Sequence, residues 1–298
     1  MDDKKRLIII DSNALLHRAF HALPPLAMKN GQETGAVYGY LLTLFKAIKD
    51  LNPEYVVATF DTKAKTFRHE KFLDYKAQRP LTPSGIVTQI PIVKEVLEAF
   101  KIPVFAKDGF EADDLIATIS KLALLQNNNL EIFILTGDMD SLQLVNEKIK
   151  IYTLGKGIKD TIIYDINKVV ERFGVKPDQM NDFKALTGDP SDNIPGVAGI
   201  GKKTAAEIIQ KYNSIENLYD ELLTDTAVLK PKVKEALRQN KENALMSREL
   251  VEMKNDVKID FVLKDCEFGK FDKIKVEEKL YALEFNSLVE RLSLLSHK

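Results

Sequence analysis

Nine acidic residues occur in a pattern that could hold metal ions. Asp11 and Asp61 end predicted strands, and the others fall in GFEADDL (Glu111, Asp113, Asp114), TGDMD (Asp138, Asp140) and TGDPSDN (Asp189, Asp192). Two bare carboxylates ~4 Å apart repel by about 1 kcal/mol in water and roughly 4 kcal/mol at an effective dielectric of 20, so converging acids need protons or cations. All-oxygen ligands favour Mg²⁺ or Mn²⁺. Because carboxylates spread over several strand ends are typical of two-metal sites, the pattern predicts such a site for phosphoryl transfer.

Each acidic motif alone also has a structural interpretation. Asp189 before Pro190 is a good helix N-cap, and Asp192 falls where the acid of a capping box would lie. The acids of GFEADDL would complement the dipole of the helix that they open. Caps do not require acids at strand ends as well, so the combined pattern favours the metal site.

The first two thirds of the chain contain the elements that must position these acids. The predicted strands are LIIID (Leu7 to Asp11), YVVATFD (Tyr55 to Asp61), IPVFAKDG (Ile102 to Gly109) and EIFILTGD (Glu131 to Asp138). Helical periodicity lies between them, over Val37 to Leu51, Val87 to Phe100 and Glu111 to Gln126. This alternation predicts a mainly parallel sheet, in which ligands bind at the carboxyl ends of the strands. In TGDMD, an extended strand end would point both aspartates to the same side.

After about Lys176 the pattern becomes helical, with one weak strand candidate at VKIDF (Val257 to Phe261). We therefore predict an α/β core over residues 1–176 and a helical region over 177–298. A chain of 298 residues could equally form one large α/β domain.

Composition excludes several other classes of protein. Apolar residues make up 45% and charged residues 29%, mean hydropathy is -0.17, and the sequence predicts neither a membrane span nor a signal peptide. We expect a cytoplasmic protein without a membrane partner. One cysteine, Cys266, excludes an internal disulfide and a cysteine-based zinc cluster. Without the nine acids the chain has eight more basic than acidic residues, which suits a polyanionic substrate.

A basic and aromatic segment follows the strand that delivers Asp61. It contains Lys63, Lys65, Arg68, His69, Lys71, Lys76 and Arg79 together with Phe67, Phe72 and Tyr75. Such a mixture suits a groove for a nucleic-acid backbone with stacking surfaces for unpaired bases. The alternative is a solvated amphipathic helix. The four histidines (His17, His21, His69, His297) lack metal-ligand spacing, and none is assigned to catalysis.

The glycine-rich segment GVAGIGKKTAAEII (Gly196 to Ile209) leads into a helix, whose N-terminal amides could bind a phosphate. It almost matches the P-loop pattern, but Thr204 comes one residue late and no apolar strand precedes it, which argues against a nucleotide triphosphatase. A backbone site for a DNA phosphate remains, with charge from Lys202 and Lys203. The alternative is a helix–helix connection with tight glycines.

Taken together, these blocks resemble the 5′-to-3′ exonuclease and flap endonuclease family, and most closely the N-terminal nuclease domain of bacterial DNA polymerase I. The similar blocks are LIIIDSNALLHRAF, TGAVYGY, FDTKAKTFRHEKFLDYKAQRP, GFEADDLIAT, TGDMDSLQL, KALTGDPSDNIPGVAGIGKKTA and, near the end, YALEFNSLVERL. The resemblance implies a PIN-like core, a helical arch over about 63–100, and a helix-three-turn-helix element over about 186–213 that grips duplex DNA.

The family's motifs also imply roles for individual residues. Asp11, Asp61, Glu111 and Asp113 would surround one metal ion, and Asp138, Asp140 and Asp192 the second, with Asp114 and Asp189 in support through water or hydrogen bonds. Lys76 and Arg79 would stabilise the scissile phosphate, and Tyr75 would stack beside it. Gly199, Gly201, Lys202 and Lys203 would grip a phosphate, at a turn that in this family often holds a monovalent cation such as K⁺.

The resemblance implies a nuclease that cuts DNA at 5′ flaps, nicks and primer ends, and RNA primers in hybrids, during replication and repair. We expect Mg²⁺, replaceable by Mn²⁺, as two ions, and a monomer in the bacterial nucleoid, either free-standing or part of a longer DNA polymerase I chain. One alternative is a PIN-type ribonuclease that acts on structured RNA. Another is a non-enzymatic DNA-junction binder in which the acids bind metal only to stabilise the fold.

Overall fold

A computed structural model describes residues 4–155, 160–292 and 295 of the chain. Its centre is a six-stranded sheet in the order β3-β2-β1-β4-β5-β6. The strands are β1 (Lys5–Asp11), β2 (Tyr55–Thr59), β3 (Val104–Phe105), β4 (Leu130–Leu135), β5 (Ile149–Leu154) and β6 (Thr161–Tyr164). All neighbouring pairs are parallel except β5 and β6, so β6 closes one edge in the opposite direction.

Alternate residues of the central strand enter two different apolar cores. Leu7 and Ile9 pack on one face of the sheet, and Ile8 and Ile10 on the other, all with no exposed surface. Helices cover both faces, which explains why β1 is a continuous apolar run. The register places Asp11 opposite Thr59 of β2, so the ends of both strands reach the same edge.

The helices are α1 (Ser12–Ala22), α2 (Gly35–Leu51), α3 (Phe67–Lys71), α4 (Ser84–Val87), α5 (Ile90–Ala99), α6 (Ala112–Gln126), α7 (Ile166–Phe173), α8 (Met180–Thr187), α9 (Lys202–Tyr212), α10 (Ile215–Leu223), α11 (Pro231–Gln239), α12 (Lys241–Val251), α13 (Lys273–Ala282) and α14 (Asn286–Leu292). Short 3₁₀ helices cover Asp140–Leu144, Pro177–Gln179, Pro190–Asp192 and Leu263–Cys266. In the part of the chain that the structure describes, no helix is long and apolar enough to cross a membrane.

The helical region after β6 contributes to both faces of the sheet. Residues from α8 to α11 share a core with β1 and β4, whereas α13 and α14 pack on the opposite face with α2 and α5. This confirms the mainly parallel sheet flanked by helices. The boundary at residues 176 and 177 stays a prediction.

Several predicted elements differ from the structure. The strand predicted over Ile102 to Gly109 shrinks to two residues at the sheet edge, and Val257 to Phe261 forms no strand. The helix predicted over Val87 to Phe100 is broken between α4 and α5, because Pro91 lacks the N–H that a continuous helix would need. β5 and β6 were not predicted.

Candidate active site

Three strand ends bring the first acids together, and hydrogen bonds fix their orientation. Asp11 caps α1 by accepting from the Ala14 amide at 3.1 Å, and its second oxygen accepts from the Thr136 hydroxyl at 2.6 Å. Asp61 accepts from the Ala112 amide at the start of α6, at 2.7 Å. Each carboxylate is therefore held by a neighbouring element, as expected where parallel strands end together.

Asp138 and Asp140 follow β4 in a tight turn and not in an extended strand end. The Asp138 side chain accepts from the Asp140 amide at 2.9 Å, and Asp140 opens a 3₁₀ helix. The sequence-based geometry was therefore wrong here, although both aspartates line the same cavity. The Thr136 hydroxyl accepts from the Asp138 amide at 2.9 Å, which ties this turn to Asp11.

The start of α6 supplies three acids with two different orientations. Glu111 is the N-cap residue of α6 and forms a capping box with Asp114, a pairing that was not predicted from the sequence. Glu111 and Asp113 line the cavity, but Asp114 does not. Both Asp114 oxygens bind the guanidinium of Arg68, a lining residue, at 2.8 and 2.9 Å.

The cavity measures about 770 Å³ and gathers seven of the nine predicted acids. These are Asp11, Asp61, Glu111, Asp113, Asp138, Asp140 and Asp192. Asp189 lies outside the lining, where its side chain accepts from the Ser191 amide as the predicted N-cap. The Lys184 ammonium joins Asp189, at 3.0 Å, to Asp140. Asp114 and Asp189 thus contact the other acids or their partners, in keeping with a supporting position.

Crowding of the acids changes their protonation. Desolvation, aided by the charges of Asp61 and Asp138, raises the pKa of Asp11 to about 7 despite its hydrogen bonds. Desolvation raises the pKa of Asp113 well above its usual range, and Asp138, Asp11 and Asp140 add to the shift by repulsion. Carboxylates in such an environment are stabilised by cations.

Basic side chains already occupy part of this acidic environment. Lys76 Nζ lies 2.7 Å from Glu111 Oε1 and 3.8 Å from Asp192 Oδ2, while Arg79 binds the other Asp192 oxygen. Lys184 binds Asp140. In residues 4–155, 160–292 and 295, no group of three or more histidine, cysteine, aspartate or glutamate side chains has the arrangement of a ready metal site. The donor set is nevertheless all-oxygen and electrostatically in need of positive charge, so its chemistry fits Mg²⁺ or Mn²⁺.

Tyr75, Lys76 and Arg79 lie in a turn that is folded against the acids. The Tyr75 hydroxyl donates to Glu111 at 3.1 Å and to Asp192 at 3.3 Å, and the Lys76 amide donates to the Asp192 carbonyl at 2.9 Å. Tyr75 is only 3% exposed and packs with Ile194. Its stacking role therefore stays a prediction, which requires the ring to become accessible.

The glycine-rich turn lies apart from the cavity. Gly199 has φ +85° with open space around it, and Gly201 is the N-cap of α9. Lys202 and Lys203 are exposed, and none of these four residues lines the cavity. Upstream, Gly188 and Gly196 touch closely: a Cβ on Gly196 would lie 2.2 Å from the Gly188 nitrogen, so glycine is required there.

Sequence reasoning missed several residues that the structure places at the site. Arg68, Thr136 and Lys184 bind acids directly, and Asn13 and His17 line the cavity. The repeated triplet T-G-D could have indicated Thr136, since both copies carry a threonine two residues before an acid. The single basic residues carry no comparable signal, because their partners among the acids include Asp114 and Asp140, which are 46 and 44 residues away.

Comparison with known proteins supports this description. A protein-family model described as "5'-3' exonuclease, N-terminal resolvase-like domain" matches residues 6–174. A second family model, described as "5'-3' exonuclease, C-terminal SAM fold", matches residues 175–274. DNA polymerase I of Bacillus subtilis is 38% identical over 292 residues, which cover 98% of this chain and 33% of that protein. DNA polymerase I of Mycobacterium tuberculosis is 38% identical over 291 residues, with 97% and 32% covered. The chain thus spans about a third of the length of these relatives.

Solved structures show the same fold at lower identity. The bacteriophage T5 D15 protein, co-crystallised with metal ions, has a TM-score of 0.69 at 20% identity, with 98% of this chain and 100% of that chain covered. The catalytic core of Rad2 in complex with DNA substrate has a TM-score of 0.65 at 18% identity, with 100% and 93% covered. The predicted resemblance and fold class are confirmed, and the chain belongs to the 5′-3′ exonuclease family.

Proposed function

We propose that this chain is a divalent-metal-dependent 5′ nuclease that cuts DNA at 5′ flaps, nicks and primer ends, and RNA primers in hybrids. The observation that carries the proposal is the convergence of seven acids in one cavity, from three strand ends, the start of α6 and a 3₁₀ helix, next to a basic segment. Relatives named DNA polymerase I match almost the whole chain, and neighbours of the same fold are complexes with metal ions or DNA. The activity would serve replication and repair in bacterial cytoplasm, within a longer polymerase or on its own.

Two groups of acids would hold two ions. Asp11, Asp61, Glu111 and Asp113 would bind the first, and Asp138, Asp140 and Asp192 the second. When bound, divalent ions lower the pKa of water at the site and offset the charge that develops on the phosphate and the leaving 3′ oxygen. Thr136 and Ala112 would keep Asp11 and Asp61 in place through the hydrogen bonds described above.

Lys76 and Arg79 would act on the substrate from the basic segment. Their contacts with Glu111 and Asp192 show that both side chains reach the acids. Once divalent ions neutralise these carboxylates, an incoming phosphate could replace them as the partner of the Lys76 and Arg79 side chains. Charged donors placed where negative charge develops typically contribute about 2.7–4 kcal/mol to the rate.

The turn from Gly199 to Lys203 would bind the duplex part of the substrate. Its open glycine, the free amides at the start of α9 and two exposed lysines form a surface suited to a phosphate. A monovalent cation such as K⁺ at this turn would be a further contact with the phosphate. Because this surface lies outside the cavity, it would set binding and not chemistry.

Cleavage assays on three substrates test the proposal. Flap DNA, a primer hybrid and single-stranded RNA are compared with Mg²⁺, with Mn²⁺ and with chelator. We expect flap DNA and the hybrid to be cut only with a divalent ion, and single-stranded RNA far more slowly. Preferred cleavage of the single-stranded RNA would indicate a ribonuclease, and metal-dependent DNA binding without cleavage would indicate a junction binder; either result would refute the proposal.

A further inference from the structure

Arg68 and Asp114 form a buried ion pair at the wall of the acid cavity, which Arg68 lines and Asp114 does not. Arg68 is 2% exposed and Asp114 is fully buried. Two parallel hydrogen bonds join them, from Nη1 to Oδ2 at 2.8 Å and from Nη2 to Oδ1 at 2.9 Å. This two-point geometry holds both side chains in one orientation, which a lysine could not reproduce.

The pair connects three segments that are distant in sequence. Arg68 belongs to α3 and donates to the backbone carbonyls of Leu250 at 2.8 Å and Glu252 at 2.9 Å, where α12 ends. Asp114 belongs to α6 and accepts from the Lys254 amide at 2.8 Å. The basic segment, the cavity helix and the end of α12 are therefore joined at one point.

Glu111 depends on this pair in two ways. Asp114 Oδ2 accepts from the Glu111 amide at 3.1 Å, which fixes the backbone at the cavity edge. Arg68 Nη1 also lies 3.5 Å from Glu111 Oε2, farther than from Asp114. Asp114 is thus the closer partner of the arginine. The Glu111 carboxylate lines the cavity and contacts Lys76, a cation that a divalent ion can replace.

We propose that Arg68 is a positioning residue that acts through Asp114 to hold Glu111 where it can bind a divalent ion. The inference rests on the proposed metal-dependent nuclease function. Stability alone does not account for this pair, because buried ion pairs often stabilise a fold no more than apolar residues of the same volume do. Changing groups that orient metal ligands typically lowers metal affinity or activity about 10–100-fold.

Arg68→Lys tests the proposal, with Glu249→Gln as the matched control. Glu249 pairs with Lys71, so the control breaks an exposed contact between the same two segments without touching Asp114 or Glu111. Mn²⁺ binding is measured by calorimetry on the DNA-free protein, and single-turnover flap cleavage is measured across Mg²⁺ concentrations. We expect Arg68→Lys to weaken Mn²⁺ binding about 10–100-fold and to raise the half-saturating Mg²⁺ concentration in step, with flap affinity unchanged. The control should match the parent.

A second variant distinguishes loss of the ion pair from loss of the folded state. Arg68→Met combined with Asp114→Leu replaces the pair by apolar atoms, which buried sites commonly tolerate. We expect this variant to fold but to bind Mn²⁺ more weakly than the parent, as Arg68→Lys does. Parental Mn²⁺ affinity in either variant, even with a lower melting temperature, would overturn the positioning role alone. A parent chain that binds no Mn²⁺ and cuts no flap would overturn the proposed function itself.

Discussion

The acid cavity and the glycine-rich turn differ in how their functional groups are supported. In the cavity most of the acids are held by a partner from another element, such as Thr136 for Asp11 and Lys184 for Asp140. At the turn, Gly199 has open space around it, and Lys202 and Lys203 project into solvent. The comparison indicates a division of labour in which chemistry needs mutual constraint and duplex binding needs an accessible backbone. Substitutions in the cavity should therefore change rates steeply, and those at the turn should change affinity in small steps.

The largest effect is expected from removing a carboxylate at a strand end. Asp61→Ala or Asp138→Ala should lower flap cleavage by at least about 1000-fold, because each ion offsets several kcal/mol of developing charge. DNA binding should be retained, since removing an acid relieves repulsion with phosphate. Single-turnover rates and fluorescence anisotropy measure the two properties. Asp225→Ala, an exposed acid paired with Arg238 outside the cavity, is the control, and unchanged turnover in both cavity variants would contradict the metal assignment.

A smaller loss is expected at the basic segment above the acids. Lys76→Ala should slow single-turnover cleavage about 100–1000-fold, because a charged donor to the reacting phosphate typically contributes about 2.7–4 kcal/mol. Lys65→Ala is a suitable control, because Lys65 lies exposed in the same segment and outside the cavity lining. If the Lys76 variant were slow only at subsaturating DNA, Lys76 would be a binding residue and not a catalytic one.

Stability should respond to pH through the same crowding of acids. Desolvation and Asp138 raise the pKa of Asp140 to about 7, from an ordinary 3.8. Between these values the folded state binds more protons than the unfolded state, so this group makes the folded state less stable as pH rises. Asp140→Asn removes the titration, so the free energy of unfolding of the variant should increase relative to that of the parent by about 2–3 kcal/mol from pH 5 to pH 8.

Other groups titrate in the same range, so the difference between parent and variant is the informative quantity. Desolvation lowers the pKa of His17 and His69, which makes the folded state more stable as pH rises through about 6.5 in both proteins. Denaturant unfolding in chelator, repeated with Mg²⁺, measures the difference. We expect Mg²⁺ to reduce it, because an ion that binds the folded state replaces the protons. A difference independent of pH would show that Asp140 is ionised throughout.

The sequence predicted the location of the acids better than their immediate partners. Strand ends are readable because apolar runs terminate in aspartate, and parallel strands deliver those residues to one edge. Arg68 binds Asp114, 46 residues away along the chain. Lys184 binds Asp140, 44 residues away, and also Asp189, only five residues away. No local pattern distinguishes these two cations from other basic residues. The orientation of Asp114, inward and not into the cavity, follows from that unseen arginine.

The parts of the fold that were missed have similar causes. β3 is short because it lies at a sheet edge with a half-exposed pattern, so its apolar sequence overstated its length. The break between α4 and α5 depends on Gln89, whose buried side chain accepts from the Val37 amide at 3.1 Å and donates to the Gly85 carbonyl at 2.7 Å. Such tertiary contacts override helical periodicity, although Pro91 was a visible signal.

The smallest effect is expected at the glycine-rich turn. Lys202→Ala with Lys203→Ala should weaken binding of duplex-containing flaps while barely changing cleavage at saturation, because neither lysine lines the cavity. Each lost phosphate contact should lower the salt slope of binding by about 0.9. Lys273→Ala with Lys275→Ala is the control, since it removes two exposed lysines from α13, which packs on the opposite face of the sheet.

Single-stranded DNA distinguishes a phosphate contact from a general field at this turn. A single strand can reach the acids from the basic segment without engaging the start of α9, so the double variant should bind it nearly as well as the parent. Equal weakening of flap and single-strand binding would mean that Lys202 and Lys203 act only through long-range charge. A loss confined to duplex-containing flaps and to the Lys202 and Lys203 variant is what a local grip on one backbone phosphate requires.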